Sequence, residues 1–179
     1  MKEIRLHGRG GLGTVKAAET LVYAAVMDGN YGNSIPFFGF ERQGAPVTAY
    51  VRIDDKPIRP KNRVYYPNTV VVLDPTIMNA VDVFEGIAKE SVFVLNTSQA
   101  VADITVDENI KTLVLVDANK IAMELLGNNI TNTVMLGAFV KATESVSLEI
   151  IAQKVEELWG TKNKEAVFKG YKEAKIYNL

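Results

Sequence analysis

The chain has 179 residues, of which 47% are apolar and 23% charged, with a formal net charge of -1, no cysteine and one histidine. This composition excludes disulfides, thiol catalysis, cysteine-ligated clusters and multi-histidine metal sites, and it provides no general field for nucleic acid or an anionic membrane. Because no apolar run approaches a membrane span and the start MKEIRLHG lacks a signal-peptide pattern, we expect a cytoplasmic protein that forms one domain over residues 1–179.

The first half of the chain alternates between strand and helix patterns. Apolar and polar residues alternate loosely over 3–7, which predicts a strand, and apolar residues recur at helical spacing over 13–28. Further strands are predicted at 31–40, where the strand runs into a loop, at 45–53 and at 69–73.

The second half repeats this alternation. Strands are predicted at 91–96 and 111–117, and helices at 78–88, 118–127, 132–143, 147–160 and 163–176. Ser147 is the expected N-cap of its helix, and Gly127 and Gly160 are the expected helix ends. The pattern predicts a single α/β domain with a mostly parallel sheet flanked by helices and a small antiparallel insertion near 31–53.

A glycine-rich turn joins the first strand to the first helix. The stretch HGRGGLGT at residues 7–14 has Gly8, Gly10 and Gly13 in G-x-G-x-x-G spacing. Its main-chain amides and the following helix start suit a phosphate, with Arg9 adding charge and Thr14 a hydroxyl. A tight turn with close strand–helix packing explains the spacing equally well.

Two nucleotide-binding motifs that contain such a turn are incomplete. A dinucleotide site needs an acidic residue at the end of the second strand, and residues 31–40 contain none. A P-loop needs Gly-Lys-Ser/Thr at its end, which is also missing. These absences count against an NAD-dependent dehydrogenase and leave a phosphate cradle for another nucleotide-like ligand.

A second unusual segment is FFGFERQGAP at residues 37–46. It places Glu41 and Arg42 between glycines and aromatic residues, with a proline on each flank. Phenylalanines in a loop are unfavourable in water, so we favour a functional or interface loop over an ordinary turn with solvated charges.

Four other residues have a structural and a functional interpretation. For His7 we favour a buried structural role over that of a catalytic base. Asn96 and Thr97 end a strand at the edge where ligands bind, and could reach a cofactor. For Trp159 we favour core or interface packing over stacking on a ligand.

The glycine turn and the aromatic loop together resemble the gamma subunit of 2-oxoacid:ferredoxin oxidoreductases, most closely the pyruvate type. The similar pieces are LHGRGGLGTVKAAE (6–19), GNYGNSIPFFGFERQGAPVTAYVRI (29–53), KPIRPKNRVYYPNTVVVLDP (56–75) and NTVMLGAFVKAT (132–143). The glycine turn alone is not specific, whereas the joint occurrence is.

The resemblance implies a Rossmann-like domain that helps to bind coenzyme A. The positions it implies for this role are Gly10, Gly11, Leu12, Gly13, Thr14, Arg42 and Asn132. The enzyme would decarboxylate a 2-oxoacid oxidatively to acyl-CoA and CO₂ and reduce ferredoxin.

The resemblance also implies that catalysis takes place elsewhere in the complex. Thiamine diphosphate, magnesium and iron–sulfur clusters would lie on the alpha, beta and delta partner subunits, and this chain would supply no catalytic residue or metal ligand. A free-standing nucleotide- or CoA-binding module without its own catalysis is the alternative interpretation.

Overall fold

The computed structural model describes residues 1–38 and 44–179. A seven-stranded sheet runs through it in the order β2-β3-β1-β4-β5-β6-β7. The strands are β1 (Lys2–Arg9), β2 (Tyr31–Phe38), β3 (Pro46–Asp54), β4 (Thr69–Val72), β5 (Ser91–Asn96), β6 (Ile110–Val116) and β7 (Lys175–Asn178). The helices are α1 (Thr14–Met27), α2 (Ala118–Leu126), α3 (Asn132–Thr143), α4 (Leu148–Trp159) and α5 (Thr161–Glu173).

The sheet has a parallel centre with an antiparallel strand on each side of it. Strands β1, β4, β5 and β6 pair in parallel, and β4, β5 and β6 each contain a continuous apolar run, such as VVV in β4. On one side β3 pairs antiparallel with both β1 and β2. This confirms the mostly parallel sheet and the antiparallel insertion near 31–53.

The two faces of the sheet are covered differently. Helices α1 to α5 pack on one face, which we call the helical face, in a cluster that includes Leu6, Val94 and Val114. The opposite face, the loop face, carries Val72 and Phe93 under 3₁₀ turns and irregular segments. Apolar side chains therefore point to both sides of the central strands.

Helix α3 lies at the centre of the helical layer. Every residue from Asn132 to Val140 is buried, which is why this helix is apolar on all sides. A Cβ at Gly137 or Gly170 would collide with the main chain of the facing helix, so these glycines let α3 and α5 approach closely.

Several predicted helix ends are confirmed. The Ser147 hydroxyl accepts a hydrogen bond from Ile150 N and caps α4. Gly127 ends α2 with a φ of 68°, a left-handed conformation that glycine adopts without strain. Helix α3 has the predicted bounds of 132–143.

Two predicted helices are wrong in whole or in part. Residues 78–88 form no α-helix: a 3₁₀ turn ends at Asn79, the Asp82 side chain accepts from Phe84 N, and Gly86 has a φ of 69°. The final helix ends at Glu173, and the following residues form β7 along β6 instead. No helix among the described residues is long and apolar enough to cross a membrane.

Candidate functional site

The chain leaves the sheet in opposite directions after two neighbouring strands. The connection after β1 enters α1 on the helical face. The connection after β4 enters a 3₁₀ turn whose Ile77 is buried on the loop face. In open α/β sheets, ligands bind in the crevice beyond such a point, and the glycine turn lies there.

Some main-chain groups of the glycine turn form hydrogen bonds within the protein. The Gly10 amide donates to Ala45 O at 2.9 Å, and the Gly10 carbonyl accepts from Gly44 N at 3.1 Å. The Leu12 amide donates to Arg9 O at 3.1 Å. The amides of Gly10 and Leu12 are thus engaged within the protein, which leaves the start of α1 as the principal source of free donors.

Gly13 brings the predicted loop and the predicted Asn132 together. Gly13 has a φ of 76°, and a Cβ added to it would collide with the Asn132 side-chain amide. Asn132 is the first residue of α3 and is 4% exposed, and its Oδ1 accepts from Thr133 N at 2.9 Å. The starts of α1 and α3 therefore lie side by side.

The hydroxyl of Thr14 points away from the solvent. Thr14 is 2% exposed, and its Oγ1 is buried with no hydrogen-bond partner in the part of the chain that the structure describes. It lies against Gly8, where a Cβ would collide with it, which explains the glycine at that position. In this conformation Thr14 offers a ligand its backbone amide rather than its hydroxyl.

A cavity of about 360 Å³ opens in front of this turn. Its lining includes Gly11, Gly13, Lys16, Asn132, Trp159 and Asn163. Trp159 is 36% exposed, and its carbonyl accepts from Asn163 Nδ2 at 2.9 Å. Lys16 and Asn163 were not predicted from the sequence to lie at this site. Trp159, for which packing in a core or interface was favoured, lines the cavity.

Three helices begin at this cavity, and none of them has a side-chain cap. The N-cap residues Gly13 of α1, Thr131 of α3 and Gly160 of α5 make no side-chain hydrogen bond to their helices. In contrast, Asp117 and Ser147 cap α2 and α4. Two amides near these starts are engaged, Thr133 N with Asn132 Oδ1 and Asn163 N with Gly160 O. The remaining amides at the helix starts are donors with partial positive charge, so this arrangement can bind an anion.

The charge of Arg9 is neutralised within the protein. Its guanidinium lies 3.3 Å from an Asp74 carboxylate oxygen and donates to Thr76 Oγ1 at 2.9 Å and Gly44 O at 3.0 Å. The expected contribution of Arg9 to a phosphate site is therefore reduced. Arg42 and Glu41 lie outside the described residues.

Asn96 does not reach the cavity. It is fully buried, donates from Nδ2 to Leu73 O at 2.8 Å and accepts at Oδ1 from Ala118 N at 2.9 Å. These bonds tie the ends of β4 and β5 to the start of α2. Thr97 lines a different cavity, beyond β4 and β5 on the loop face.

His7 is buried on the loop face of β1. It is 3% exposed, and burial, together with the charge of Arg5, lowers the pKa of His7 to about 3. The ring is therefore neutral at physiological pH. Among the described residues no group of three acidic or histidine side chains is arranged to hold a metal ion.

Comparison with known proteins gives consistent matches over the whole chain. The family model for pyruvate ferredoxin/flavodoxin oxidoreductase matches residues 3–173. The chain is 48% identical over 179 residues to the pyruvate synthase subunit PorC of Methanothermobacter marburgensis, covering 98% of each protein. It is 44% identical over 185 residues to the pyruvate/ketoisovalerate oxidoreductases common subunit gamma of Pyrococcus furiosus, covering 100% of each.

A solved structure also matches this chain over nearly its whole length. The crystal structure of pyruvate oxidoreductase subunit PORC from Thermotoga maritima has a TM-score of 0.86 and 34% sequence identity to this chain. The match covers 99% of this chain and 98% of that one.

Proposed function

The chain belongs to the pyruvate ferredoxin/flavodoxin oxidoreductase family, as a gamma subunit of a 2-oxoacid oxidoreductase, and we propose that it holds coenzyme A for that enzyme. The resemblance seen in the sequence is confirmed. The proposed reaction is the oxidative decarboxylation of a 2-oxoacid to acyl-CoA and CO₂, with reduction of ferredoxin. We propose pyruvate as the 2-oxoacid, as in the enzymes for which the relatives are named.

The convergence of three uncapped helix starts on one cavity is the observation that carries this proposal. Coenzyme A has a diphosphate and a 3′-phosphate, and it needs amide donors and positive potential at close range. The amides at the start of α1, beside Gly11 and Gly13, supply donors where no side chain intervenes. Asn132 adds a side-chain amide from the start of α3.

The same cavity has features that suit the rest of the nucleotide. The exposed indole of Trp159 is an aromatic surface on which an adenine ring can stack. Lys16 lines the cavity one turn into α1 and is exposed, with Glu19 as its partner at 2.8 Å. Its ammonium group can turn from Glu19 to a phosphate, because an exposed ion pair is weak.

The chemistry itself belongs to partner subunits under this proposal. The described residues of this chain contain no metal-binding cluster, and its one histidine is buried and neutral. Thiamine diphosphate, magnesium and iron–sulfur clusters would lie on alpha, beta and delta subunits, and the isolated chain would be inactive. We further propose that residues 1–179 form one domain and that the complex is cytoplasmic.

Calorimetric titration of the full chain with coenzyme A tests the proposal. Pantetheine, which lacks the phosphates and adenine, is the comparison ligand, and we expect it to bind at least about tenfold more weakly, the equivalent of one charge-assisted hydrogen bond. Gly13→Ala should weaken coenzyme A binding, because its Cβ displaces Asn132.

Gly29→Ala is the matched control for the glycine variant. Gly29 also has a left-handed φ, 82°, but it lies at the far end of α1 with nothing within 4 Å of a Cβ. Both variants experience backbone strain, and only Gly13→Ala should lose affinity. Equal affinities for coenzyme A and pantetheine, or equal losses in the two variants, would contradict the proposal.

A further inference from the structure

A second cavity of about 360 Å³ lies on the loop face, beside β1 and β3. The side chains of Arg5 and His7 extend there from β1, and those of Thr48 and Tyr50 extend from the paired positions of β3. This cavity shares no lining residue with the one at the glycine turn. The proposed coenzyme A site leaves it unexplained.

Two residues that line this cavity each contain a buried nitrogen atom that has no hydrogen-bond partner among the described residues. Arg5 is 5% exposed, and its Nη2 donates to Val83 O and Glu85 O at 2.8 Å each, which fixes the guanidinium. Its Nε has no partner, and neither does Nε2 of His7. Buried polar groups in folded proteins are nearly always paired with protein, water or ligand atoms, so a bound molecule that reached these two atoms would satisfy both.

Both nitrogen atoms are donors in the histidine tautomer that we assign to His7. The Arg5 Nε always carries hydrogen. The Thr48 hydroxyl lies 3.5 Å from His7 Nδ1, and when it donates to that atom the neutral ring carries its hydrogen on Nε2. The missing partner is therefore an acceptor, and the positive charge of Arg5 favours an anionic oxygen over a neutral one.

The entrance to the cavity limits the total charge of the ligand. Arg63, Asp82 and Glu85 line it and are all exposed. The two carboxylates outweigh the single positive charge of Arg63, so they oppose a second negative charge on a ligand that already pairs with Arg5. Phe37 and Pro46 add apolar surface at the same entrance.

We propose that this cavity binds a small monocarboxylate, whose oxygens accept hydrogen bonds from Arg5 Nε and His7 Nε2. The short apolar part of the ligand lies toward Phe37 and Pro46. The site is separate from the proposed coenzyme A site, so each proposal can fail without the other.

The single histidine makes the test direct. In the ¹⁵N-labelled full chain, a long-range ¹H–¹⁵N correlation spectrum shows one imidazole, that of His7. Titration with propionate should shift the Nε2 resonance and saturate. Sodium chloride at equal ionic strength should leave it unmoved. The absence of a saturable shift with propionate, or the same shift with chloride, would overturn the proposal.

Charge selectivity is the second readout. Malonate, a three-carbon acid with one more charge than propionate, should bind about fivefold more weakly, as expected from exposed carboxylates at the entrance. In the Asp82→Asn/Glu85→Gln variant this difference should fall below about twofold, because the opposing charges are gone. Both positions are exposed, and the asparagine side-chain oxygen in Asp82→Asn can still accept from Phe84 N, so the fold is retained. Unchanged discrimination in the variant would show that the entrance charges do not select the ligand.

Discussion

The burial of His7 makes folding stability depend on pH in a way that can be calculated. Burial first, and the charge of Arg5 second, lower its pKa from 6.5 to about 3. Between these values the unfolded chain binds a proton that the folded chain does not, so stability falls as the pH drops. A single group with these two pKa values makes the protein about 2 kcal/mol less stable at pH 5 than at pH 7.

Urea unfolding of the wild type and of His7→Gln at pH 7, 6 and 5 measures this effect. Other groups contribute equally to both proteins, so the difference between their pH profiles isolates His7. We expect the wild type to lose about 2 kcal/mol more than the variant over this range. Parallel profiles would refute the reasoning. The His7 ¹⁵N shifts should independently remain those of a neutral ring down to about pH 4.

Three further substitutions test the site and the helix ends. Trp159→Ala should weaken coenzyme A binding, measured by calorimetry, about tenfold through the loss of stacking. Phe168 is similarly exposed, 39%, and lies on α5, so Phe168→Ala is the control and should leave the affinity unchanged. Asn132→Asp keeps the bond to the Thr133 amide but places a negative charge beside the phosphates, so affinity should fall more than tenfold while urea unfolding still shows a folded protein. Ser147→Ala removes the cap of α4 and should lower the free energy of unfolding by about 1 kcal/mol, with coenzyme A affinity unchanged.

Most elements could be predicted from local sequence patterns because the apolar spacing and end residues of each segment favour the structure that it forms. Helix α3 follows its predicted bounds, and the strand 91–96 is as predicted. Strand β7 could not be predicted, because KIYN is short and forms a strand only through pairing with β6. The prediction of a helix over residues 78–88 was wrong. The apolar residues of this segment pack on the loop face, and the segment contains turns at Asp82 and Gly86.

The candidate site was predictable in part. The glycine spacing was equally consistent with a phosphate-binding turn and with a tight structural turn, and the resemblance added Asn132, which the structure places against Gly13. Trp159 could not be assigned to the cavity, because only the packing of α4 and α5 on the helical face brings it there. The ion pair of Arg9 with Asp74 likewise joins the ends of two strands that are far apart in sequence.

Amide mapping of coenzyme A on the ¹⁵N-labelled full chain tests the central claim most directly. The account predicts saturable shifts of the amides of Gly11 and Gly13 and of the single indole N–H, that of Trp159. It also predicts little change at Thr97 and Gln99, which line the cavity beyond β4 and β5. Shifts confined to that other cavity, or no shift at the glycine turn when binding is saturated, would contradict the account.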